Sequence, residues 1–498
     1  MNENESNAGS GQLFEFYLSR WLCLLPLVFF IIPLLWMSVI RVGSMSVVLG
    51  FTLLGVILTS FFAKDQNKYW EVVTGGMLKP SVAMFVLIFT IVGIFAKMLA
   101  QSNVAGGVIW LASSAGVEGT MFTAFVFIAC CLLSTGSGSS MATVLTLGPP
   151  LYPAGVILGA DPFLLAGALV AGANFGDNLA PVSDTTIVSA AGQMYQNKEG
   201  PADIGGVVRS RFKYAIIAGV ISLILYLFIG SGSKFLTPAE ATALIAKYSY
   251  AKGLLMLIPV AVIIYFAVKG THIATALTLG IVSGAIIGLV FGILGFDDFL
   301  MLKTAGKKMS LVGIIPDGVT MMIRQILVLM LLMGAGELII ETGLMQDMMG
   351  RLSNMVSKPA GTELMMCVLG ALVGLMGGFA IMGMAIAAPF VNAMGQDQKI
   401  HPYKRANILD AMTTSTCHAI PWSKQLFVLA GLLTAMKETY DFVPVITTTD
   451  FFMYCFHPWI LMILMPIAAI IGYGRIFEGK DGSVVKGYWK NEIPKEVL

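Results

Sequence analysis

The sequence predicts an all-α polytopic membrane protein of two inverted repeats, with broken or re-entrant helices and about 10–14 transmembrane segments. Three observations carry this reading. Of 498 residues, 57% are hydrophobic and only 12% are charged, whereas a soluble domain needs about a quarter charged to cover its surface. Apolar runs of spanning length recur from residue 21 to residue 474. The two halves also match at one constant offset of 240 residues.

The elements follow in order. Residues 1–19 are polar and read as a surface tail. The run at 21–41 lacks a basic leader and a small-residue exit, so it reads as a retained span. Further runs fall at 44–63, 81–101, 119–133, 141–158, 163–190 and 212–231, then at 253–268, 273–294, 319–341, 363–376, 379–395, 405–436 and 454–474. Several are short or interrupted by Gly, Pro and hydroxyl residues. Irregular backbone at membrane depth is tolerated only where protein or water covers it, so these are expected to be broken or re-entrant. The organisation is a tail (1–19), a first repeat (20–235), a linker (236–252), a second repeat (253–475) and a C-terminal tail (476–498).

The repeat rests on particular residues. Pro149, Pro162 and Pro181 fall on Pro389, Pro402 and Pro421, the only prolines between 380 and 430. Gly138 falls on Gly378, Ala171 on Ala411, Ser183 on Ser423 and Ala190 on Ala430. Charge bias suggests inversion. Residues 194–213, read as a loop, carry Lys198, Arg209, Arg211 and Lys213, while the counterpart at 437–453 sets Lys437 against Glu438, Asp441 and Asp450. The positive-inside rule puts the first loop in the cytoplasm and the second outside. It also puts the tail with Arg475, Lys480, Lys486, Lys490 and Lys495 inside, as in a multi-pass protein of the cytoplasmic membrane.

Composition excludes other classes. A net charge of +2 without a long basic run argues against nucleic acid. Six cysteines in apolar stretches fit neither a zinc pattern nor a disulfide framework. His272, His401, His418 and His457 are far apart and form no H-E-x-x-H, so no zinc enzyme, no other enzyme and no cofactor is expected. The expected partners are the bilayer and a small cation; an organic substrate and a homodimer are compatible with the class.

The densest polar cluster within apolar sequence is residues 172–186, GANFGDNLAPVSDTT. Asp177 and Asp184 lie two helical turns apart, and Pro181 between them frees the carbonyl of Asp177. Carboxylates, hydroxyls and loose carbonyls together make the all-oxygen shell that a hard cation such as Na+ wants. A charge at membrane depth costs at least about 2.5–3.5 kcal/mol, which makes function the default explanation. Asn174, Asn178, Ser183, Thr185 and Thr186 complete the cluster. Upstream, Ser134–Thr143 is hydroxyl-rich and includes Ser137. It lacks the Gly-Lys-Ser/Thr of a phosphate loop, and reads as a re-entrant turn or a small-residue packing surface.

The second half answers with Asp410 to Lys424, including Thr414, His418 and Ser423. By the offset Lys424 takes the place of Asp184, and Glu337 that of Lys97, so both pairs swap charge. Lys424 is therefore expected to approach Asp184. A buried lysine facing a carboxylate pairs with it, or releases a proton when a cation arrives; near a helix break it also fits an interfacial position. His418 is a second proton candidate or a hydrogen-bonded core residue. Asp410, Glu337 and Lys97 complete the proton-coupling candidates, and Arg324 and Glu341 lie where snorkelling explains them as well as function does.

These motifs carry a resemblance. FGDNLAPVSDTT (175–186) resembles the signature of the NhaC sodium/proton antiporter family, roughly F-G-D-x-x-S-P-x-S-D-T-T. STGSGSSMAT looks like that family's upstream stretch, and Ile-Pro-Trp-Ser (420–423) is similar to its Ile-Pro-Trp-Asn. Order and spacing agree over about 20–475. The resemblance implies the ion-transporter superfamily fold and cation-coupled exchange at the midplane, with Na+ and H+ as the ions. It carries cation-site roles onto Asp177, Ser183, Asp184 and Thr185. Relatives that exchange organic acids or amino acids make that the alternative. Two positions depart: Ala180 replaces a usual Ser, and Ser423-Lys424 replaces a usual Asn-Thr.

Overall fold

The computed structural model describes residues 14–40, 45–230, 236–269, 271–305, 308–353, 358–376, 380–437, 439–489 and 491–497. The expectations placed on residues 1–13, Gly378, Glu438 and Lys490 lie outside the described residues.

The first half opens with the apolar helices α1 (Leu25–Ile40) and α2 (Met45–Ser60). A short amphipathic helix follows, α3 (Gln66–Met77), whose N-terminus is capped by the Asp65 side chain. α4 (Pro80–Gln101) begins on a proline, whose missing N–H is no loss at that position. Then come α5 (Val104–Ser114), α6 (Gly119–Ser137), α7 (Ser140–Ile157), α8 (Pro162–Leu179), α9 (Asp184–Ala191) and α10 (Ile204–Phe228). The middle of the chain holds α11 (Pro238–Tyr248), α12 (Leu257–Val268), α13 (Ile273–Val290) and α14 (Phe296–Phe299). An antiparallel hairpin follows, β1 (Met301–Ala305) with β2 (Lys308–Val312). The second half comprises α15 (Ile314–Met321), α16 (Ile323–Glu341), α17 (Leu344–Ser353), α18 (Pro359–Leu375), α19 (Ala380–Asp397), α20 (Pro402–Ala419), α21 (Lys424–Met436), α22 (Thr448–Phe451) and α23 (Phe456–Ile471). A second hairpin, β3 (Ile476–Glu478) with β4 (Val484–Lys486), closes the chain. Among the described residues six helices are long and apolar enough to span, or nine if each bent pair is one span; four more are shorter and apolar. The protein is thus an all-α polytopic membrane protein.

Helix boundaries recur at the offset read from the sequence. α7 and α19 end at 157 and 397; α8 and α20 run 162–179 and 402–419; α9 and α21 start at 184 and 424. Packing is reciprocal. α6 packs on α8, and α18 on α20; α7 packs on α21 while α19 packs on α9; α10 meets α20 while α23 meets α8. Likewise α2 and α3 pack on α16, and α13 and α15 on α4. Both of these crossings are glycine contacts. A Cβ on Gly76 would sit 2.9 Å from Gly334 Cα, and one on Gly93 would sit 2.1 Å from the Gly318 carbonyl oxygen. Only a hydrogen side chain lets the backbones approach so closely.

Several expectations change. The span expected at 212–231 is α10, which starts at 204 and carries Arg209, Arg211 and Lys213 on the helix instead of in a loop. Arg211 is wholly buried, because Asp410 compensates its charge. Arg475, read as a tail cation, is buried against Glu363, with Nε donating to Oε1 at 3.0 Å. Neither cation belongs to the surface charge that orients the chain. The tail folds back: Ile476 accepts a backbone hydrogen bond from His401, and the Glu478 carboxylate accepts from the amides of Gln196 and Asn197 at 2.7 Å each. All six cysteines are buried, and none forms a disulfide among the described residues.

Candidate functional site

The site grows from two helix breaks. α8 ends at Leu179 and α9 begins at Asp184 with a 40° bend, because Pro181 cannot donate and the backbone must leave the helix. The other break lies between α6 and α7, where Gly138 sits at φ 66°. A Cβ there would lie 2.7 Å from Val182 Cγ2 and 3.0 Å from the Val182 carbonyl carbon, so the two breaks touch. At this junction the buried Asp177 accepts a hydrogen bond from Ser183 Oγ at 2.7 Å, and Thr185 Oγ1 lies 3.0 Å from the same hydroxyl.

The equivalent serine behaves differently. Ser423 accepts from the amides of Gln425 and Leu426 and caps α21, whereas Ser183 makes no such cap at α9. Its hydroxyl serves Asp177 instead. Cys417 stands at the position equivalent to Asp177, so the second half has no carboxylate there to draw Ser423 away.

α8 and α20 cross in antiparallel sense at the core. Thr414 Oγ1 donates to Asn178 Oδ1 at 3.0 Å, and Asn174 Nδ2 lies 3.2 Å from His418 Nδ1. Asn174 and Thr414 are equivalent at the offset, as are Asn178 and His418, so the two contacts map onto one another. From α23, His457 Nδ1 comes within 2.8 Å of Asn174 Oδ1. Beside the crossing, Asp410 and Arg211 form an ion pair at 2.6 Å, and both are fully buried. Thr186 Oγ1 donates to Asp410 Oδ2 at 3.2 Å.

The predicted residues therefore separate into groups. Asp177, Ser183 and Thr185 meet at the first break. Asn174, Asn178, Thr414 and His418 meet at the crossing, and Thr186 and Asp410 gather around Arg211. Ser137 sits at the end of α6, its buried hydroxyl without a hydrogen-bond partner among the described residues. Asp184 is exposed at the start of α9. Lys424 is half-buried at the second break, within electrostatic reach of Asp177 and Asp184. Lys97 pairs instead with Asp317 at 3.6 Å, and Glu337 with Lys79, at the two glycine crossings. Arg211, Asn407 and His457 were not singled out as site residues in the sequence. Arg211 was hidden among the basic residues of 194–213, although an arginine directly before a long apolar run, two turns into α10, is itself a signal.

The profile of the Na+/H+ antiporter family matches residues 200–470. The chain belongs to the Na+/H+ antiporter family. Among curated relatives, the malate-2H(+)/Na(+)-lactate antiporter of Bacillus subtilis is 24% identical over 438 residues, 84% of this chain and 86% of that protein. The Na(+)/H(+) antiporter NhaC of Alkalihalophilus pseudofirmus is 28% identical over 203 residues, 40% of this chain and 42% of that protein. The arginine/ornithine antiporter ArcD of Halobacterium salinarum is 27% identical over 273 residues, 53% and 54% of the two chains. Among solved structures, the Alcanivorax borkumensis YdaH transporter is similar with a TM-score of 0.38 at 15% identity, over 82% of this chain and 90% of that one. The family bears out the resemblance carried by FGDNLAPVSDTT. This Na+/H+ antiporter family member is a multi-pass secondary transporter, and a small cation is among its substrates.

Proposed function

We propose that this chain exchanges Na+ for H+ across the cytoplasmic membrane, with the cation held at the junction of the two breaks. The observation that carries this is Asp177. It is a buried carboxylate at a proline break, joined by the hydroxyls of Ser183 and Thr185, and among the described residues it has no ion pair. Such a group of oxygens suits a dehydrated hard cation. Asp184, exposed at the mouth, concentrates cations near it. Lys424 and His418 are the groups placed to give up a proton as the cation arrives. Two inverted repeats hinged on the α8/α20 crossing account for alternating access, and the antiparallel course of these equivalent helices supports that arrangement. The cytoplasmic face is the one carrying Lys198 and the C-terminal hairpin.

A second reading, coupled exchange of a small organic acid, is favoured by one observation: Lys424 stands beside the site where a carboxylate could bind it. The likeness to a malate and lactate exchanger over 84% of the chain agrees. Proteoliposomes containing a pH-sensing dye separate the two. Sodium pulses alone move protons under the first reading; under the second, proton movement needs malate, lactate or another small carboxylate on one side.

A further inference from the structure

Arg211 is held by four oxygens. Its Nη2 is 2.6 Å from Asp410 Oδ2, its Nη1 donates to the Asn178 carbonyl at 2.6 Å and to Thr186 Oγ1 at 3.0 Å, and its Nε donates to Asn407 Oδ1 at 3.2 Å. A carboxylate, a carbonyl at a helix break, a hydroxyl and an amide oxygen are the donor types a hard cation takes. Two of the four come from the motif that the sequence marks as cation-binding. Guanidinium and carboxylate are both fully buried, so water does not compete for this place. Asp410 Oδ1 is also buried and has no hydrogen-bond partner among the described residues, which leaves a lone pair there for an ion smaller than guanidinium. The positions equivalent to Asp410 and Arg211, Val170 and Phe451, are apolar, so the arrangement exists on one side of the pseudo-twofold only.

We propose that Arg211 is a tethered cation filling a second ion site, so that the chain binds one sodium ion per cycle, at Asp177, where its oxygens alone would hold two. This rests on the sodium reading above and fixes the number of ions within it. It also makes Asp410 a fixed counter-charge and not a ligand of the transported ion.

Equilibrium binding of radioactive sodium to the purified full-length protein in detergent counts the sites. Wild type takes one ion per chain, Asp177→Asn none, and Arg211→Gln two, the second lost again when Asp410→Asn is added. If Arg211→Gln is unstable, its thermal midpoint in detergent is read against added sodium: the rise exceeds that of R211Q/D410N, which lacks the second carboxylate and binds one ion like wild type. Arg211→Gln binding only one ion, or gaining no more thermal stability from sodium than R211Q/D410N, overturns the inference and leaves the sodium reading intact. Wild type binding no sodium overturns both.

Discussion

Two aspartates in one motif have different surroundings. Asp177 is buried among hydroxyls and Asp184 is exposed. Asp177→Asn is therefore expected to abolish sodium-driven proton movement, while Asp184→Asn should weaken apparent sodium affinity and leave the maximal rate largely intact; initial rates across a sodium series check both. The ion pairs also rank. Removing one partner of a fully buried pair costs about 3–5 kcal/mol, whereas a partly exposed pair is worth about 0.2–1 kcal/mol. Arg211→Ala should lower the thermal midpoint in detergent far more than Lys97→Ala, whose partner Asp317 is 41% exposed. Equal shifts would refute the ranking. At this scale the sequence was readable where a polar residue sits in an apolar run beside a proline, as with Asp177. It was not readable for Arg211, because only the fold brings Asp410, 199 positions away, to meet it.

Among the elements, the breaks and caps were the most legible. Pro181 and Pro421 mark 180–183 and 420–423, and Pro162 and Pro402 open α8 and α20. α3, α5, α11 and α17 were missed, being short or polar and stabilised by packing on neighbours. Gly138→Val tests the touching breaks: the left-handed backbone and the contact with Val182 leave no room for it, so sodium affinity should fall, while Gly50→Val, in open space on α2, should leave affinity unchanged. The C-terminal hairpin has a pH-sensitive clasp. His401 Nδ1 accepts from the Tyr403 amide at 3.2 Å and Nε2 faces the Gly482 carbonyl at 3.3 Å, which fixes a neutral ring. Burial pushes the His401 imidazole down to about 4 from 6.5, with Arg405 adding to the effect. The docked ring resists the proton that a released ring accepts. Docking is therefore fully stable above pH 6.5 and weakens as pH falls from 6.5 towards 4, by about 1.4 kcal/mol per unit. Hydrogen exchange of residues 476–486 should accelerate over that range, and a rate free of pH dependence, after correction for intrinsic exchange, would count against the clasp.

For the whole molecule, the constant offset of 240 residues separates what is shared from what differs. Helix boundaries coincide at 240 residues and contacts are exchanged between halves, yet the chemistry is asymmetric: Asp177 against Cys417, Asp184 against Lys424, Val170 against Asp410. Matching helix boundaries with different polar residues leave one buried carboxylate at the junction of the breaks. The central claim is that this carboxylate couples sodium to protons. Its most direct test is a sodium pulse applied outside proteoliposomes that contain a pH-sensing dye. The account predicts a rise in internal pH with wild type and none with Asp177→Asn inserted to the same level. No rise with wild type, or an equal rise with Asp177→Asn, would contradict it.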